Sequence, residues 1–373
     1  MINILYVLNG PFEKGGTETV VLNYYNNLNP DRFHVDFMIH GYDDGKNKIH
    51  RDLINRGSNI FYVTPRGESY KKNIMDIDCV FSKNNFDIVH CHMDAANMFV
   101  LKEAKKYGIS VRISHSHNAG GIISKKSVLK KFMYELVLAY AKNKLKDYST
   151  FNIACSEKAG KWLFGKNEYL VINNGINFES YKYDVKKRKK IRDDLGVSED
   201  TFLLGHIGRF APQKNHTMLI DIFDKYHAEN SNSKLMLIGQ GELEQEIRDK
   251  VQLLGIEDSV LFLGVRDDVS DLMCAMDVFL LPSLYEGLPL VGVEAQAAGL
   301  TCLVSEEISK EVVISDNIKL LPIENSIDLW VNSILEASDV SVNHDRENVK
   351  LSENFNMSHI IKQLEDVYKN LYR

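Results

Sequence analysis

The chain has 373 residues, of which 44% are hydrophobic and 26% charged, and its net charge is −6. This length exceeds the size at which one hydrophobic core keeps growing, so we expect two domains. The acidic balance argues against a nucleic-acid binder held by phosphate contacts. The five cysteines are scattered and form no C-x-x-C pair, so neither a disulfide framework nor a zinc site is expected, and a reducing compartment fits.

The sequence argues against both a secretion signal and a membrane span. The N-terminal residues MINILYVLNG form an apolar run that is too short for a signal peptide and has no basic leader, so they read as a first strand. Residues 278–300 are apolar overall but carry Glu286 and Glu294, whose charge is costly in a bilayer. We therefore expect a cytoplasmic protein.

Short β-rich runs alternate with amphipathic stretches along the first half of the chain. The predicted strands are INILYVL, HVDFMI, NIFYVT, DIVHCH, VRISHS, FNIACS and YLVIN. The helices predicted between them include residues 17–28, 95–107 and 128–144. This alternation indicates βαβ units and a parallel sheet.

Residues 182–200 interrupt the alternation, because they are dense in charge and poor in large apolar groups. We interpret them as a linker or a solvated helix. The alternation then resumes with FLLGHIG, KLMLIG, VLFLG, VFLLP and TCLVS, and residues 357–372 form a final amphipathic helix. The predicted fold class is α/β, with two Rossmann-like, doubly wound parallel-sheet domains in tandem.

The loop after the first strand reads GPFEKGGTETVV. Gly15 and Gly16 precede Thr17, a candidate helix N-cap; glycine lets a backbone approach a ligand, and a helix N-terminus favours an anion. The dinucleotide fingerprint G-x-G-x-x-G is missing, so an ordinary βα turn is an equal interpretation.

A later strand is predicted to end in SHSHNAGG. His115 and His117 share one face of this extended segment, and the carboxyl end of a parallel strand borders the ligand crevice, so we assign both, with Asn118, to a site. Cys91 and His92 end the neighbouring strand. No carboxylate has convincing spacing for a metal ligand there, so no metal is predicted.

The segment GHIGRFAPQKNH carries Arg209 and Lys214 on either side of a turn between a strand and a helix. Two cations at such a junction suit a diphosphate, because they neutralise the charge that develops on a leaving group. Two solvated surface cations are the alternative interpretation.

The most specific segment is LLPSLYEGLPLVGVEAQAAG. Glu286 lies in the loop after a strand, and Glu294 lies in a helix predicted to begin near Leu288. Eight helical positions span about 12 Å, which approximates the distance from sugar to ribose in a nucleotide sugar. The amides of Gly287, Leu288 and Leu290 could bind phosphate. A glutamate among apolar residues needs a polar partner, which ribose hydroxyls would supply.

These segments resemble the retaining glycosyltransferases of family 4, which have the GT-B fold of two Rossmann-like domains facing a central cleft. The resemblance covers nearly the whole chain and rests on GGTETVV, SHSHN, ACSEKAGKWLFG, INNGIN, GRFAPQKN, IGQGELE and the E-x7-E motif in EGLPLVGVE. The paired histidines with Asn118 resemble the branch that builds capsular polysaccharides and exopolysaccharides. The resemblance implies a hexosyltransferase that needs no metal or other cofactor and retains anomeric configuration.

The resemblance also implies how the substrates are shared between the domains. Residues 1–180, with a C-terminal helix at 353–373, would bind a glycan or polyprenyl-linked acceptor. Residues 181–352 would bind the nucleotide sugar, for which UDP is the expected nucleotide. With residues 182–200 taken as the linker, closure of the domains around the ligand is expected.

Individual roles follow from the same resemblance. Arg209 and Lys214 would grip the diphosphate, Glu286 the donor sugar and Glu294 the ribose. His117, or His115 as the alternative, would lie near the reacting centre. The further donor contacts implied are Gly15, Gly16, Gly264, Val265, Arg266, Gly287, Leu288 and Leu290.

Because no carboxylate nucleophile is evident, we favour a same-face displacement in which the leaving phosphate helps to deprotonate the acceptor hydroxyl. Arg209 and Lys214 would then stabilise the transition state in place of a metal. A D-x-D pattern at Asp76 and Asp78 can hold the metal of another glycosyltransferase class, but here it reads as a solvated helix face. A nucleotide-sugar epimerase, a sugar synthase, a non-catalytic partner subunit and an NAD-dependent oxidoreductase are the alternatives.

Residues 124–146, SKKSVLKKFMYELVLAYAKNKLK, read as an amphipathic helix with a basic face. Such a helix could dock on the anionic inner face of the cell membrane or pack in the core with solvated lysines. Its cations include Lys125, Lys126, Lys130, Lys131, Lys142, Lys144 and Lys146. Its apolar residues include Val128, Leu129, Phe132, Met133, Leu136, Val137 and Tyr140.

Overall fold

A computed structural model describes most of the chain, and the backbone alone of residues 128–134. The described residues are 1–12, 16–43, 45–118, 128–339 and 346–372. They divide into two compact units, of which the first comprises Met1–Gly175 with Met357–Arg373 and the second Ile176–Asn356. No helix in the described ranges is both long and apolar enough to cross a bilayer.

The first unit is built on a seven-stranded parallel sheet with helices between the strands. Its strands are β1 (Ile2–Leu8), β2 (Phe33–His40), β3 (Ile60–Val63), β4 (Ile88–Cys91), β5 (Val111–Ser116), β6 (Phe151–Ala154) and β7 (Leu170–Val171). Its helices are α1 (Gly16–Asn27), α2 (Lys48–Asn55), α3 (Tyr70–Lys83), α4 (Asn97–Lys106), α5 (Val128–Leu145) and α6 (Glu157–Phe164). A 3-10 turn, Asp94–Ala96, precedes α4.

The strand order in this sheet is β3-β2-β1-β4-β5-β6-β7. The order reverses between β1 and β4, where the two strands pair with Ile4 opposite Ile88. Apolar clusters cover both faces of the sheet, so its central strands are almost entirely buried. In open parallel sheets ligands bind at the carboxyl ends of the strands beside such a reversal.

The second unit repeats the plan with a six-stranded parallel sheet. Its strands are β8 (Phe202–Ile207), β9 (Ser233–Ile238), β10 (Val260–Phe262), β11 (Val278–Leu281), β12 (Thr301–Ser305) and β13 (Ile318–Leu321). Its helices are α7 (Phe178–Tyr181), α8 (Val185–Leu195), α9 (His216–Glu229), α10 (Glu244–Leu254), α11 (Val269–Ala275), α12 (Leu290–Ala297) and α13 (Ile327–Ser338). The order is β10-β9-β8-β11-β12-β13, so the reversal falls between β8 and β11.

The two parallel sheets confirm the predicted α/β fold class, and strand β13 is the element that the sequence did not reveal. In the strand IKLL only Leu321 is fully buried, so the segment lacks the continuous apolar run that marks the other strands.

Of the two interpretations of the charged stretch 182–200, the helix is confirmed and the linker is wrong. It contains α8, whose lysines face solvent but whose Arg192 is fully buried. The Arg192 guanidinium donates to the carbonyl of Ala275 at 2.7 Å and lies 3.3 Å from the Asp277 carboxylate. Arg188 pairs with the same carboxylate at 2.7 Å. Charge density suggested a solvated connection, whereas these two arginines fix the helix to α11 inside the second unit.

The last helix, α14 (Met357–Tyr372), returns to the first unit. Its buried residues join the core that contains β1 and β2. They are Met357, Ile360, Ile361, Leu364 and Tyr368. The spacing places them on one face of the helix, which explains the amphipathic pattern of the sequence.

This packing predicts that Leu364→Ala destabilises the first unit by about 2–5 kcal/mol, because it leaves a cavity at a wholly buried position. Urea unfolding measured by circular dichroism would give the change. Lys362→Ala, on the exposed face of the same helix, is the control and should change stability by less than about 0.5 kcal/mol. Removal of residues after 352 should destabilise the first unit further. Equal stability of the three variants would contradict the assignment.

Candidate functional site

A cluster of four histidines occupies the carboxyl ends of β4 and β5 in the first unit. They are His90, His92, His115 and His117. The ring centroids of His115 and His117 are 4.2 Å apart, and those of His90 and His92 are 4.1 Å apart. His90, His92 and His115 are buried and His117 is partly exposed. The sequence predicted the two histidines of β5 but not their contact with the two of β4.

Hydrogen bonds link the cluster to the last helix of the chain. His90 Nδ1 lies 2.7 Å from the Tyr368 hydroxyl, which lies 2.9 Å from that of Tyr6. On its other side, His90 Nε2 lies 3.2 Å from His115 Nδ1. Since a neutral imidazole has a single N–H, His90 donates one of these bonds and accepts the other.

Burial keeps the cluster uncharged. Desolvation holds the pKa values of His90, His92 and His115 well below the usual 6.5. For His117, burial lowers the pKa to about 4, against an opposing effect of the Asp94 carboxylate. His117 Nε2 lies 2.9 Å from His92 Nδ1. At neutral pH His117 is therefore a neutral group that can donate or accept a hydrogen bond.

Asp94 is a residue of this site that the sequence analysis did not identify. Its φ is +53°, an unfavourable conformation for a residue other than glycine. Its carboxylate accepts bonds from the His117 amide at 2.8 Å and from the Asn118 side chain at 2.6 Å. The carboxylate thus fixes the backbone that follows β5. The sequence does contain a signal for Asp94, because this aspartate follows the end of β4 by three residues and so lies at the edge of the sheet where ligands bind.

A cation could approach three of these histidines, because ligand nitrogens of His90, His92 and His115 lie within 4.8 Å of one another. His90, however, uses both ring nitrogens in hydrogen bonds, so coordination there would break one of them. The thiol of Cys91 is fully buried, and burial raises its pKa, which disfavours the thiolate that a metal requires.

A pocket of about 450 Å³ lies beside the cluster in the first unit. Its wall combines polar and apolar side chains. Among the lining residues are Asn9, Glu18, Arg66, His92, Asp94, Phe99, Asn118, Val137, Leu138 and Trp162. Gly16 is the first residue of α1 and directly precedes the lining residues Thr17 and Glu18. Gly15 lies outside the described residues.

In the second unit, the predicted cations follow β8 at the strand reversal. Lys214 Nζ lies 2.6 Å from Glu286 Oε1, and both side chains are about nine-tenths buried, at 14% and 10% exposed. The Ser283 hydroxyl donates to the same carboxylate oxygen at 2.6 Å. The loops are joined directly, since the Leu284 amide donates to the carbonyl of Gln213 at 2.8 Å.

Arg209, by contrast, is 72% exposed, and its one ion pair within the described ranges is a long contact of 3.8 Å with Glu242. Its backbone is held by a close approach of the β9 loop. A Cβ at Gly239, whose φ is +137°, would lie 2.1 Å from the carbonyl oxygen of Gly208. The glycine in IGQGELE therefore lets two loops at the carboxyl ends of β8 and β9 come into contact.

Glu294 lies on α12 and hydrogen-bonds to the Tyr181 hydroxyl of α7. Burial raises the pKa of Glu294, while the bond to Tyr181 opposes that shift. Tyr181 lies far away in sequence, so no local signal predicted it. The helix begins at Leu290, and Glu286 precedes it. The estimate of about 12 Å along a helix therefore does not apply, because Glu286 and the residues up to Pro289 precede the helix.

The remaining predicted donor contacts lie in loops of the second unit. Gly264 has a φ of +65°, and its carbonyl accepts from the Gly239 amide at 2.8 Å. Val265 is 46% exposed. Arg266 forms two hydrogen bonds with Asp268, at 2.8 and 2.6 Å. Gly287 and Leu288 lie in the loop before α12, and Leu290 is its first residue.

The D-x-D pattern belongs to α3. Asp76 accepts from the Thr64 amide at 2.9 Å, and Asp78 pairs with Lys106 at 2.7 Å. The two carboxylates are thus engaged separately on a helix.

The basic amphipathic segment is described in part. Its residues 124–127 lie outside the described ranges, as do the side chains of 128–134, including Lys125, Lys126, Lys130 and Lys131. In the remainder of α5, Leu136, Val137 and Tyr140 are 51%, 51% and 57% exposed.

Two family profiles match the chain. "Glycosyltransferase Family 4" matches residues 14–180 and "Glycosyl transferases group 1" matches residues 187–354. EpsF of Bacillus subtilis (strain 168), named as a glycosyltransferase, is 30% identical over 348 residues, which cover 90% of this chain and 87% of EpsF. An Escherichia coli relative is 27% identical over 311 residues, covering 80% and 79% of the two chains. It is named UDP-Gal:alpha-D-GlcNAc-diphosphoundecaprenol alpha-1,3-galactosyltransferase.

Solved structures share the architecture. Anabaena HepE in complex with UDP has a TM-score of 0.79 at 20% identity, covering 99% of this chain and 100% of HepE. The lipopolysaccharide glycosyltransferase WaaG has a TM-score of 0.63 at 16% identity, covering 99% and 96%. The fold is therefore GT-B, and the protein is a glycosyltransferase. The chain belongs to glycosyltransferase family 4, as the sequence motifs predicted.

The neutral histidines predict that acid destabilises the first unit more than the second. Among the described residues, burial lowers the pKa of five histidines in the first unit and two in the second. The unfolded chain binds more protons than the folded one between about pH 4 and about pH 6.5, so stability is retained above that range and lost as the pH falls through it. Each such histidine contributes up to about 1.4 kcal/mol per pH unit.

Urea unfolding at about pH 7.5 and about pH 5 would test this expectation. Trp162 reports on the first unit and Trp330 on the second, so the variants Trp330→Phe and Trp162→Phe isolate each signal. An equal loss of stability in the two units would contradict it.

Proposed function

We propose that the protein transfers a sugar from a UDP-sugar to a glycan or lipid-linked acceptor in surface polysaccharide biosynthesis. The transfer proceeds without a metal and with retention of anomeric configuration. The observation that carries the proposal is the ion pair between Lys214 and Glu286 at the strand reversal of the second sheet.

A lysine ammonium removed from water needs an anionic partner, and Glu286 provides one. A donor diphosphate would offer more negative charge to the same ammonium, and the largely exposed Arg209 is able to reach a phosphate from the adjoining loop. Lys214 would then neutralise charge on the leaving UDP while Glu286 accepts hydrogen bonds from sugar hydroxyls. Their close contact holds both groups in place before the donor binds.

The nucleoside is assigned to neighbouring loops of the same unit. The Glu294 carboxylate has more acceptor sites than the one that the Tyr181 hydroxyl uses, and these sites would accept hydrogen bonds from ribose hydroxyls. The backbone at Gly264, Val265 and Arg266 would hold the base. Support for UDP comes from the UDP complex of HepE and from the UDP-Gal donor in the name of the Escherichia coli relative.

In the first unit, we assign His117 to the acceptor, with His115 as the alternative. During a same-face displacement the bond between the anomeric carbon and the UDP oxygen breaks. The acceptor oxygen bonds to that carbon on the same face, and its proton passes to the leaving phosphate. The neutral His117 would orient the acceptor hydroxyl by a hydrogen bond, and Asp94 would fix the backbone that carries this imidazole.

Lys214→Ala is expected to lower turnover by about two to three orders of magnitude, the effect of losing one preorganised charge contact in a transition state. Release of UDP from a panel of UDP-sugars, with and without acceptor, would measure it. Lys225→Ala is the matched control, because this lysine of α9 pairs with the exposed Asp328 on the protein surface.

Wild-type turnover by a folded Lys214→Ala protein would overturn the diphosphate assignment. EDTA should leave the rate unchanged, and a strict requirement for a divalent ion would overturn the metal-free mechanism. Incubation with donor alone identifies epimerised sugar, if the protein is an epimerase instead.

We also propose that residues 124–146 dock on an anionic membrane, where a lipid-linked acceptor would be available. The exposed Leu136, Val137 and Tyr140 support this proposal, since a contiguous apolar surface on a helix with many lysines suits a lipid interface.

Co-sedimentation with liposomes should therefore require anionic lipid and weaken with salt, because each lysine near such a surface contributes about 1 kcal/mol. Replacing Lys125, Lys126, Lys130 and Lys131 by glutamate should abolish it. Replacing Lys71, Lys72, Lys189 and Lys190, which are exposed elsewhere, is the charge-matched control. If the wild-type protein stays in the supernatant with every lipid, the proposal is wrong.

A further inference from the structure

The pocket of the first unit is lined by both polar and apolar side chains. Arg66 and Asn9 are among the polar ones and are hydrogen-bonded to each other. The apolar ones include Phe99, Val137, Leu138, Ala141 and Trp162. At about 450 Å³, the pocket falls within the usual range of small-molecule sites, about 300–1,000 Å³.

Arg66 is a partly buried cation that no carboxylate neutralises within ion-pair distance among the residues the structure describes. Its guanidinium donates to Asn9 Oδ1 at 2.9 Å and lies 5.4 Å from the ring centroid of Phe99. Its other acceptors are distant, namely His40 Nε2 at 3.5 Å and Met93 Sδ at 3.9 Å. The buried Arg192, in contrast, has the Asp277 carboxylate beside it.

His40 helps to hold Arg66 in position without cancelling its charge. His40 Nδ1 lies 2.9 Å from the carbonyl oxygen of Leu8, which fixes the N–H on that nitrogen and leaves Nε2 as an acceptor. Burial, with a smaller effect of the Arg66 charge, lowers the pKa of His40 to about 4. The guanidinium therefore faces a neutral partner at physiological pH.

Among the described lining residues, two carboxylates also border the pocket, and neither lies within ion-pair distance of Arg66. Asp94 is occupied by the amides of His117 and Asn118 and by the Asn118 side chain. Glu18 lies in the first turn of α1, where the helix N-terminus stabilises a negative charge. A ligand anion would consequently complete the hydrogen bonding of Arg66.

We propose that this pocket binds a phosphate group that is esterified to an apolar chain, with the phosphate on Arg66 and the chain against Val137, Leu138 and Trp162. This inference rests on the proposed function, and it identifies the acceptor as a lipid phosphate rather than a free glycan. Arg66 supplies a planar pair of donors that matches phosphate oxygens, and the apolar wall removes the chain from water.

Binding can be measured without a donor. Octyl phosphate, kept below its micelle concentration, should quench or shift the fluorescence of Trp162 saturably. Trp330 is fully buried in the other unit, and Trp162→Phe should abolish the signal. Octyl glucoside is the neutral probe with the same chain, and inorganic phosphate is the anion without a chain. Both should bind at least tenfold more weakly, because each lacks one half of the recognised chemistry.

Arg66→Met should weaken octyl phosphate binding about tenfold or more, the effect of losing a charge-assisted hydrogen bond. Arg66→Lys keeps the charge and should recover part of the affinity. Arg51→Met, at an exposed arginine that does not line the pocket, should leave it unchanged. Circular dichroism would establish that each variant is folded, and the lysine variant keeps the test valid if the methionine variant is not.

Equal binding of octyl phosphate and octyl glucoside would overturn the proposal, as would unchanged affinity in Arg66→Met. A loss of UDP affinity in Arg66→Met, with octyl phosphate binding unchanged, would assign Arg66 to the donor and overturn it too. Octyl phosphate binding is measured without a UDP-sugar, so it tests this inference alone. If the proposed sugar transfer is wrong, the wild-type protein will release no UDP from a UDP-sugar, which is a separate measurement.

Discussion

Burial of uncharged imidazole is the constraint on which the first unit depends. Strands β4 and β5 run between two apolar layers, yet they end in four histidines. A buried polar group without a hydrogen bond costs about 1–3 kcal/mol, and each of these histidines has at least one ring nitrogen hydrogen-bonded to another histidine or to tyrosine. Tyr368 of α14 bonds to His90, and Tyr6 of β1 bonds to the Tyr368 hydroxyl. Through His90, the last helix therefore helps to fix which nitrogen of His115 carries the proton. His115 in turn packs against His117.

Three of the buried cations differ in how the protein balances them. In the second unit, Lys214 and Arg192 lie beside carboxylates, so these two positive charges are compensated within the protein. In the first, Arg66 is balanced by an amide oxygen and a neutral imidazole. A compensated pair is rigid and preorganised, which suits stabilisation of charge that develops during a reaction. A guanidinium that has no carboxylate partner among the described residues favours ligands that bring their own negative charge.

Most of the strand framework could be predicted from the sequence, because strands buried on both faces appear as continuous apolar runs between turn residues. Strand β13 was not predicted, because it lies at the edge of the sheet, is partly exposed and lacks a continuous apolar run. The charged stretch at 182–200 was predicted as a helix or a linker, and charge density could not decide between them, because it does not reveal that Arg188 and Arg192 converge on Asp277, about 85 residues later.

The candidate site was predictable where function places several unusual residues in one segment. The loop with Lys214 and the E-x7-E segment were such cases, although their contact was not visible in the sequence. Asp94, Arg66 and Tyr181 were missed for a common reason. Each acts through a partner on another strand or helix, and single-residue patterns contain no record of such long-range contacts. The positive φ of Asp94 likewise becomes evident only in three dimensions.

The return of α14 to the first unit has a consequence for biosynthesis of the chain. The ribosome releases the N-terminal 175 residues first, and domains of a nascent protein usually fold in that order. Here the early unit lacks Leu364 and Tyr368 until the whole second unit has been synthesised. The second unit has its whole sequence available sooner. The second unit can therefore fold first, while the first unit keeps part of its apolar interior uncovered until the residues of α14 emerge from the ribosome.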